Sequence, residues 1–368
     1  MQNKKILPLL LAAFCQPAAY AEPATSHDLD SLRREMSAMQ EQLDKLTVNQ
    51  PAGDPQSPYG LQLSGFFDVT VNLSDINDQP FALGDLELDA LYDQGKNYTV
   101  SSAIVVNDDG AGVAVALLDY HVQTASGDNS EESGFHIQLG RFDLPFASDY
   151  SFYAAPDRIN ISAPLTTDRV QDGGLNGDGL GIYGGWSDFD YTFYSTNSLY
   201  GDTGYSAGAR LGYARDNLAI GLSALTDRDE NDDTRSRLTG LDIRYTLGMA
   251  EISAEALQLD SEGDMEVGAT SYGPADEKAA HISLALDFSP VTVFVRYEKW
   301  TPDYTAVPDE SNSTPLAVEE LERATLAARY LLDDNLQFKL EYSRYTSGET
   351  EEADFDRNQA NVQMVASF

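Results

Sequence analysis

The sequence predicts an all-β protein, a 16-stranded antiparallel transmembrane β-barrel with a short N-terminal helix (a coiled coil) in the periplasm. Three observations support this prediction. The last ten residues alternate between an apolar and a polar face and end on Phe368, similar alternation recurs from Leu61 onward, and the links between these segments are mostly short and long in turn. Such strands suit lipid outside a barrel and water inside it.

The N-terminal residues predict export. Two lysines precede an apolar run, and residues 19–21 (Ala-Tyr-Ala) offer a small-x-small cleavage site, so we expect a signal peptide over residues 1–21. The alternative is a lipid anchor on Cys15, which is disfavoured because Phe14 stands where such sites have a small residue. Cys15 is the single cysteine, so we expect no disulfide and no thiol chemistry in the exported protein.

Residues 22–48 are expected to form the helical coiled-coil segment. Leucine and methionine residues from Leu29 to Leu46 follow the alternating three- and four-residue spacing of a heptad repeat. Such a short repeat is marginal in isolation, so we expect it to form where several barrels associate, in a homo-oligomer with a trimer as the expected form. The alternative is a helix that packs on the periplasmic mouth of its own barrel. Residues 49–60, rich in proline, are the expected linker.

Residues 61–368 are expected to form the barrel. The predicted strands cover residues 61–73, 81–92, 97–106, 113–123, 134–143, 178–186, 188–196, 204–214, 217–226, 236–247, 249–259, 278–288, 291–300, 321–332, 335–346 and 358–368. Links after even-numbered strands are mostly tight and those after odd-numbered strands mostly long, with 124–133 as an exception. An even strand count with this asymmetry is the outer-membrane pattern, and closure removes every strand edge while leaving a water-filled lumen.

The expected location is the bacterial outer membrane. The last strand resembles the C-terminal strand by which outer-membrane barrels are recognised for insertion, so Phe368 is the expected insertion signal. The expected partners are therefore outer-membrane lipid, lipopolysaccharide and the barrel-assembly machinery. The formal net charge is −37, and loss of the two leader lysines lowers it to −39. This charge argues against nucleic-acid binding and favours cations in a channel, although acidic loops or a salty habitat would also explain it.

The strand faces opposite the apolar ones are expected to line the channel. The expected lining residues are Asp85, Glu87, Asp89, Arg210, Asp242, Arg244, Glu251, Glu255, Arg296, Glu298, Arg329, Lys339 and Glu341. Most of these charges are expected to pair across strands. We expect a few arginines that face acids to set a transverse field at the narrowest point and to select solutes.

The longest link, residues 144–177, is expected to supply that narrow point. It is much longer than a hairpin requires and carries apolar residues, so it should pack against other parts of the protein. Folding into the barrel is the leading interpretation, and lying over the mouth or against a neighbouring subunit is the alternative. The charged loop residues expected at the constriction are Asp149, Asp157, Arg158, Asp168, Arg169 and Asp172.

Two other patterns do not predict a catalytic site. Residues 179–184 match G-x-G-x-x-G, but a dinucleotide site needs a helix after the motif, and this run is itself a predicted strand. His121 and His136 could approach each other across neighbouring strands, and a role as polar channel-lining residues explains them adequately. We therefore expect no enzyme, no catalytic residue, no cofactor and no metal site.

The end of the fifth predicted strand and its loop resemble a known family. Residues 140–146 follow G-x-x-x-x-P-F, and residues 161–166 follow I-S-x-P-L-T, as in the LbtU-type siderophore porins. That family is also similar in its signal peptide, heptad helix and single barrel. The chain departs from the family pattern after Thr166, where Asp168 and Asp172 stand without the expected Gly-Glu pair, and residues 151–157 resemble an insertion.

The resemblance implies uptake of a small hydrophilic solute, such as a ferric siderophore. The chain is too short for the plug and twenty-two strands of an energised transporter, so we expect diffusive passage. A phosphate- or anion-selective porin is the nearest alternative, but it would need a lumen dominated by lysine and arginine. The other alternative is a non-conducting structural or adhesive barrel.

Overall fold

A computed structural model describes most of the region from residue 60 to the C-terminus. The described residues are 60–73, 80–94, 98–108, 110–122, 135–201, 203–230, 235–262, 265–267, 270–272, 276–303, 320–347 and 358–368. The predicted signal peptide, coiled coil and nearly all of the linker lie outside these ranges. Among the described residues, no helix is long and apolar enough to cross a bilayer.

The described residues form eighteen strands, and sixteen of them close into one antiparallel barrel. The strands are β1 (Gly60–Asn72), β2 (Phe81–Asp93), β3 (Tyr98–Asn107), β4 (Gly110–Val122), β5 (Phe135–Asp143), β6 (Asn176–Trp186), β7 (Phe189–Asn197), β8 (Gly204–Arg215), β9 (Leu218–Asp229), β10 (Arg235–Leu247), β11 (Ala250–Glu262), β12 (Met265–Val267), β13 (Thr270–Tyr272), β14 (Asp276–Asp287), β15 (Val291–Asp303), β16 (Leu321–Leu331), β17 (Leu336–Ser347) and β18 (Asn358–Ser367). The sixteen-strand prediction is confirmed, with each end within three residues of its predicted position. The short β12–β13 hairpin, which the sequence did not predict, is a separate two-stranded sheet.

The barrel closes where β1 pairs with β18, so the two ends of the strand series meet. Phe66 lies opposite Ser367 and Asn72 opposite Asn361. The C-terminal residue extends this ladder, because the Gly65 amide donates to the Phe368 carbonyl at 3.0 Å and the Phe368 amide donates back at 2.9 Å. Closure satisfies the backbone N–H and C=O groups of both terminal strands. The hydrocarbon core of a bilayer requires this, because it offers no water to pair with them.

Gly65 is required at this junction by close approach rather than by its backbone angles. A Cβ atom at this position would lie 2.2 Å from the Glu87 carbonyl oxygen and 2.9 Å from the Phe368 ring. The absence of a side chain therefore lets β2 and the C-terminal aromatic ring pack against the first strand.

The outer face of the barrel is apolar. On β9, Leu222 points outward and is 56% exposed, whereas its neighbour Ser223 points inward and is buried. In the strand pairing Leu222 lies opposite Leu211 and Leu241, which are also exposed. The same alternation on the other strands builds a continuous apolar surface, which is stable in a bilayer and costly in water.

One end of the barrel carries tight turns. Residues 187–188, 216–217 and 248–249 each join two strands, and Ser187, Asp216 and Gly248 adopt the positive φ angles that such short hairpins require. Exposed tyrosines lie near the strand ends on this side of the barrel, at Tyr92, Tyr120, Tyr245 and Tyr330. Aromatic side chains at this depth fit a membrane interface.

A charge placed in the middle of the apolar surface should destabilise the barrel. Leu222→Arg is expected to lower the unfolding free energy in phospholipid bilayers by roughly 2–4 kcal/mol, because the guanidinium enters hydrocarbon. Denaturant unfolding of the protein in bilayers would measure the change. Leu332→Arg in the turn after β16 is the matched control and should cost less than about 1 kcal/mol, because this turn lies at the interface. Equal costs for the two variants would contradict a lipid-facing position for Leu222.

Candidate functional site

The link between β5 and β6, residues 144–175, lies inside the barrel. Its side chains Leu144, Phe146 and Leu165 are almost completely buried. They form one cluster with inward-facing residues of the wall, which are Leu225, Leu238, Leu257, Leu259, Ala279, Trp300 and Leu321. Burial of a large apolar side chain contributes roughly 1.5–3 kcal/mol, so this cluster holds the loop firmly. We call residues 144–175 the inner loop.

Glu341 on β17 binds the far end of the inner loop. Its Oε2 atom accepts hydrogen bonds from the Ile161 amide at 2.8 Å, the Ser162 amide at 3.0 Å and Asn160 Nδ2 at 3.0 Å. Three donors directed at one carboxylate oxygen fix the loop backbone at this position. The loop therefore extends from its origin at β5 and β6 to β17.

Two further wall carboxylates bind the inner loop. Glu298 on β15 accepts a hydrogen bond from the Leu165 amide at 2.6 Å. Glu255 on β11 accepts from both the amide and the hydroxyl of Ser148, each at 2.8 Å. Together with Glu341, these carboxylates satisfy loop N–H groups that the closed barrel would otherwise leave unpaired.

Two arginines bind carbonyl groups of the same loop. Arg296 Nη2 donates to the carbonyl oxygens of Ser162 and Ala163, each at 3.1 Å, and Arg323 also donates to Ala163. Both guanidiniums donate their Nε–H to Glu298 Oε1, at 3.0 Å from Arg296 and 2.6 Å from Arg323. The two positive charges are therefore paired with a buried carboxylate as they hold the loop.

Strand pairing places these wall residues side by side. Asp242 lies opposite Glu255, Glu255 opposite His281, His281 opposite Glu298, and Glu298 opposite Arg323. Because inward-facing residues recur at every second position, one polar residue per strand is enough to build a continuous row around the wall.

The base of the inner loop is fixed by Tyr153. Its hydroxyl donates to Gln171 Oε1 at 3.1 Å and accepts from the Leu175 amide at 3.2 Å. Burial raises the pKa of this phenol above its usual value, so it stays protonated and remains a donor.

The predicted constriction residues fall into separate groups. Arg158 is 8% exposed and donates to Asp149 Oδ2 at 2.7 Å within the inner loop, and Arg296 on the wall is 5% exposed. Arg210 donates to the two oxygens of Asp242 at 2.5 and 2.9 Å. These three arginines form ion pairs within the inner loop or the wall, buried for Arg158 and Arg296 and half-buried for Arg210.

Lys339, another predicted lining residue, is 1% exposed and donates to the Ala155 and Asn160 carbonyls of the inner loop. Arg169 and Arg244 are more accessible. Arg169 lies 5.6 Å from the centroid of the Trp300 ring and 3.4 Å from Asp168, and Asp172 nearby in the loop is exposed. Arg244 lies 4.8 Å from the centroid of the Phe152 ring. The structure thus separates Arg169, Asp168 and Asp172 from the buried Arg158–Asp149 pair.

A third predicted group lies on β2, away from the strands that the inner loop contacts. Asp85, Glu87 and Asp89 alternate with outward-facing leucines and are half-buried. Asp85 accepts a hydrogen bond from Asn107 Nδ2 at 3.1 Å, and among the described residues none of the three carboxylates forms a salt bridge. We call these three residues the acidic wall.

Arg323 faces the lumen on β16, although it was not among the predicted lining residues. Arg329, which was predicted to face inward, lies on the same strand at an even spacing from Arg323 and opposite Lys339. Counting back by twos from Arg329 would have found Arg323. Its contact with Ala163, in contrast, could not be inferred, because it depends on the path of the loop.

Known proteins resemble this chain in structure but not in sequence. No family model matches the chain, and no curated protein sequence matches it significantly. An anion-selective porin from Comamonas acidovorans superposes with a TM-score of 0.62 at 14% identity, covering 84% of this chain and 100% of that one. OmpF of Salmonella typhi in complex with daunomycin gives 0.60 at 11% identity, with coverages of 84% and 98%.

A third solved structure is OmpT, an outer-membrane protein of Vibrio cholerae, folded in vitro and in a trimer form. It gives a TM-score of 0.58 at 12% identity and covers 85% of this chain and 100% of that one. The fold is the porin fold. Together with the apolar outer surface, this fold indicates the bacterial outer membrane as the location of the chain.

Loss of the Glu341 carboxylate should loosen the inner loop. In Glu341→Ala, hydrogen exchange at the Ile161 and Ser162 amides is expected to accelerate at least about tenfold, which corresponds to about 1.4 kcal/mol. Hydrogen exchange read by mass spectrometry on loop peptides would measure this. Glu322→Ala, an exchange of the same type on the outer face of β16, should leave loop exchange unchanged. Unchanged exchange in Glu341→Ala would show that the three hydrogen bonds do not hold the loop.

Proposed function

We propose that the chain is an outer-membrane porin through which small hydrophilic solutes diffuse, with the lumen constricted by the inner loop, which the sequence predicted as residues 144–177 and which ends at residue 175. One observation carries this proposal, namely that the wall carboxylates Glu255, Glu298 and Glu341 bind a long loop inside a closed barrel. A loop fixed in this way narrows the channel without a separate plug domain. We propose a channel rather than an enzyme, because the inner loop and the wall bind each other with the groups that a catalytic site would need free.

We propose that the channel prefers cations weakly. Arg158, Arg210, Arg296 and Arg323 are paired with carboxylates. The acidic wall has no such partner among the described residues, so negative charge should dominate the water-facing surface. The more accessible residues Asp168, Arg169, Asp172, Arg244 and Arg329 are the other charged groups that we propose to face the solute.

We propose ferric siderophores as candidate solutes, on the basis of the resemblance of residues 140–146 and 161–166 to the LbtU-type siderophore porins. An anion-selective porin shares the fold, so anion or phosphate passage is the alternative. The acidic wall and the paired arginines argue against anion or phosphate passage, because negative charge in the lumen repels anions. A non-conducting structural or adhesive barrel is the remaining alternative.

We also propose that the protein forms a homotrimer and that its outer surface contacts outer-membrane lipid and lipopolysaccharide. A protein with the same fold is known in a trimer form. Phe368, whose backbone completes the β1–β18 ladder, is proposed as the insertion signal for the barrel-assembly machinery.

The acidic wall should set the cation preference. The triple variant Asp85→Asn, Glu87→Gln and Asp89→Asn is expected to move the reversal potential toward zero in planar bilayers with a salt gradient, because it removes the negative charge of the acidic wall from the lumen. Asp188→Asn, Asp216→Asn and Asp334→Asn together form the matched control. They remove three carboxylates from the short turns and should leave the reversal potential within experimental error. An equal shift in both variants would argue for net charge rather than for the acidic wall.

The two solute hypotheses predict different blockers. A ferric siderophore added to single channels is expected to interrupt the current in discrete steps, whereas phosphate at the same concentration should leave it unchanged. Block by phosphate together with anion preference would favour the anion-selective alternative. Absence of current from a folded, heat-modifiable protein would instead favour the structural or adhesive barrel.

A further inference from the structure

Strand pairing gathers Asp119, His121 and His136 on the inner face of the barrel. His121 on β4 lies directly opposite His136 on β5, and Asp119 lies two residues before His121 and therefore on the same face. One ligand atom from each of the three residues can be chosen so that all lie within 4.8 Å of one another. The cluster lies toward the end of the barrel that carries the tight turns, away from the inner-loop contacts described above.

Two polar atoms of this cluster, one on His136 and one on Asp119, lie close together but do not form a hydrogen bond with each other. His136 Nδ1 lies 3.7 Å from Asp119 Oδ1, and both atoms are buried without a hydrogen-bond partner among the described residues. A buried polar atom of this kind is costly unless another group or an ion satisfies it. His136 Nδ1 and Asp119 Oδ1 are therefore available to bind an ion.

Tyr183 on β6 orients the cluster from the third strand. Its hydroxyl donates to Asp119 Oδ2 at 2.5 Å, and its ring stacks on His136 with centroids 4.5 Å apart. The His121 ring meets the His136 ring edge-on at 4.6 Å. The hydrogen bond occupies Oδ2 and leaves Oδ1 directed at the imidazoles, as partners of metal-binding carboxylates often do.

We propose that Asp119, His121 and His136 form a binding site for a divalent transition-metal ion such as Zn²⁺. Two imidazoles and one carboxylate suit Zn²⁺, Ni²⁺ or Cu²⁺ rather than Ca²⁺ or Mg²⁺, which take oxygen ligands. Zinc–ligand bonds of about 2.0–2.2 Å put tetrahedral ligand atoms roughly 3.4 Å apart, so small rotations of these side chains would close the site. The fourth position would face the water of the lumen.

The proposal concerns binding and does not depend on conduction. A chain with a net charge of −37 will collect divalent cations loosely, so titration with Zn²⁺ should be done in millimolar Ca²⁺, which occupies oxygen-only sites. The protein has four histidines, and the one outside the barrel region is removed by His27→Ala, which serves as the parent for all variants.

In this parent, isothermal titration of the folded, detergent-solubilised protein should show one Zn²⁺ bound per chain. His121→Ala and His136→Ala should each weaken binding at least about tenfold, since each removes a direct ligand. Asp119→Asn, which preserves shape, should weaken it as well. His281→Ala removes the other barrel histidine without touching the cluster and should leave the affinity within about twofold of the parent.

A second measurement identifies the ligands directly. The electron paramagnetic resonance spectrum of bound Cu²⁺ should show hyperfine coupling to two imidazole nitrogens in the parent and to one in either histidine variant. Absence of Zn²⁺ binding in a parent that shows the heat-modifiable migration of a folded barrel would overturn the proposal. So would binding that His121→Ala and His136→Ala leave unchanged.

Discussion

Pairing of every backbone polar group is the constraint on which the structure depends. A barrel in lipid has no water to satisfy a free strand edge, so the first and last strands must meet. They do so through seven residue pairs and are extended by Phe368, whose amide and carbonyl both bond to Gly65. The side-chain pattern follows from this closure, because every second residue of each strand must then face hydrocarbon and the others the lumen.

Closure creates a lumen, and the inner loop partly fills it. Ordering a loop of this length costs about 1–2 kcal/mol per residue in backbone entropy, so many contacts are needed to hold it. The apolar cluster around Phe146 supplies some of them, and the carboxylates Glu255, Glu298 and Glu341 supply directed ones. Those carboxylates are suited to this task because the loop presents backbone N–H groups that need acceptors.

The strands could be predicted from the sequence, whereas the contacts of the loop could not. Alternation is a local property, so each strand was found within three residues at its ends, and its inward-facing set followed. The hydrogen bond between Ile161 and Glu341 joins residues 180 positions apart. No local pattern shows that the loop reaches β17, so the sequence could not distinguish arginines such as Arg158 and Arg296, which the loop buries, from those it leaves accessible.

The position of the loop also determines which charges remain in contact with water. Arg296 and Arg323 are paired with Glu298 and capped by the Ser162 and Ala163 carbonyls, so their charge is compensated where the loop covers them. The acidic wall on β2 has no such cover from the described loop contacts. An excess of negative charge facing water therefore does not require an excess of acids in the lumen as a whole. In the proposed channel, the narrowing and the sign of the exposed charge depend on the same set of contacts.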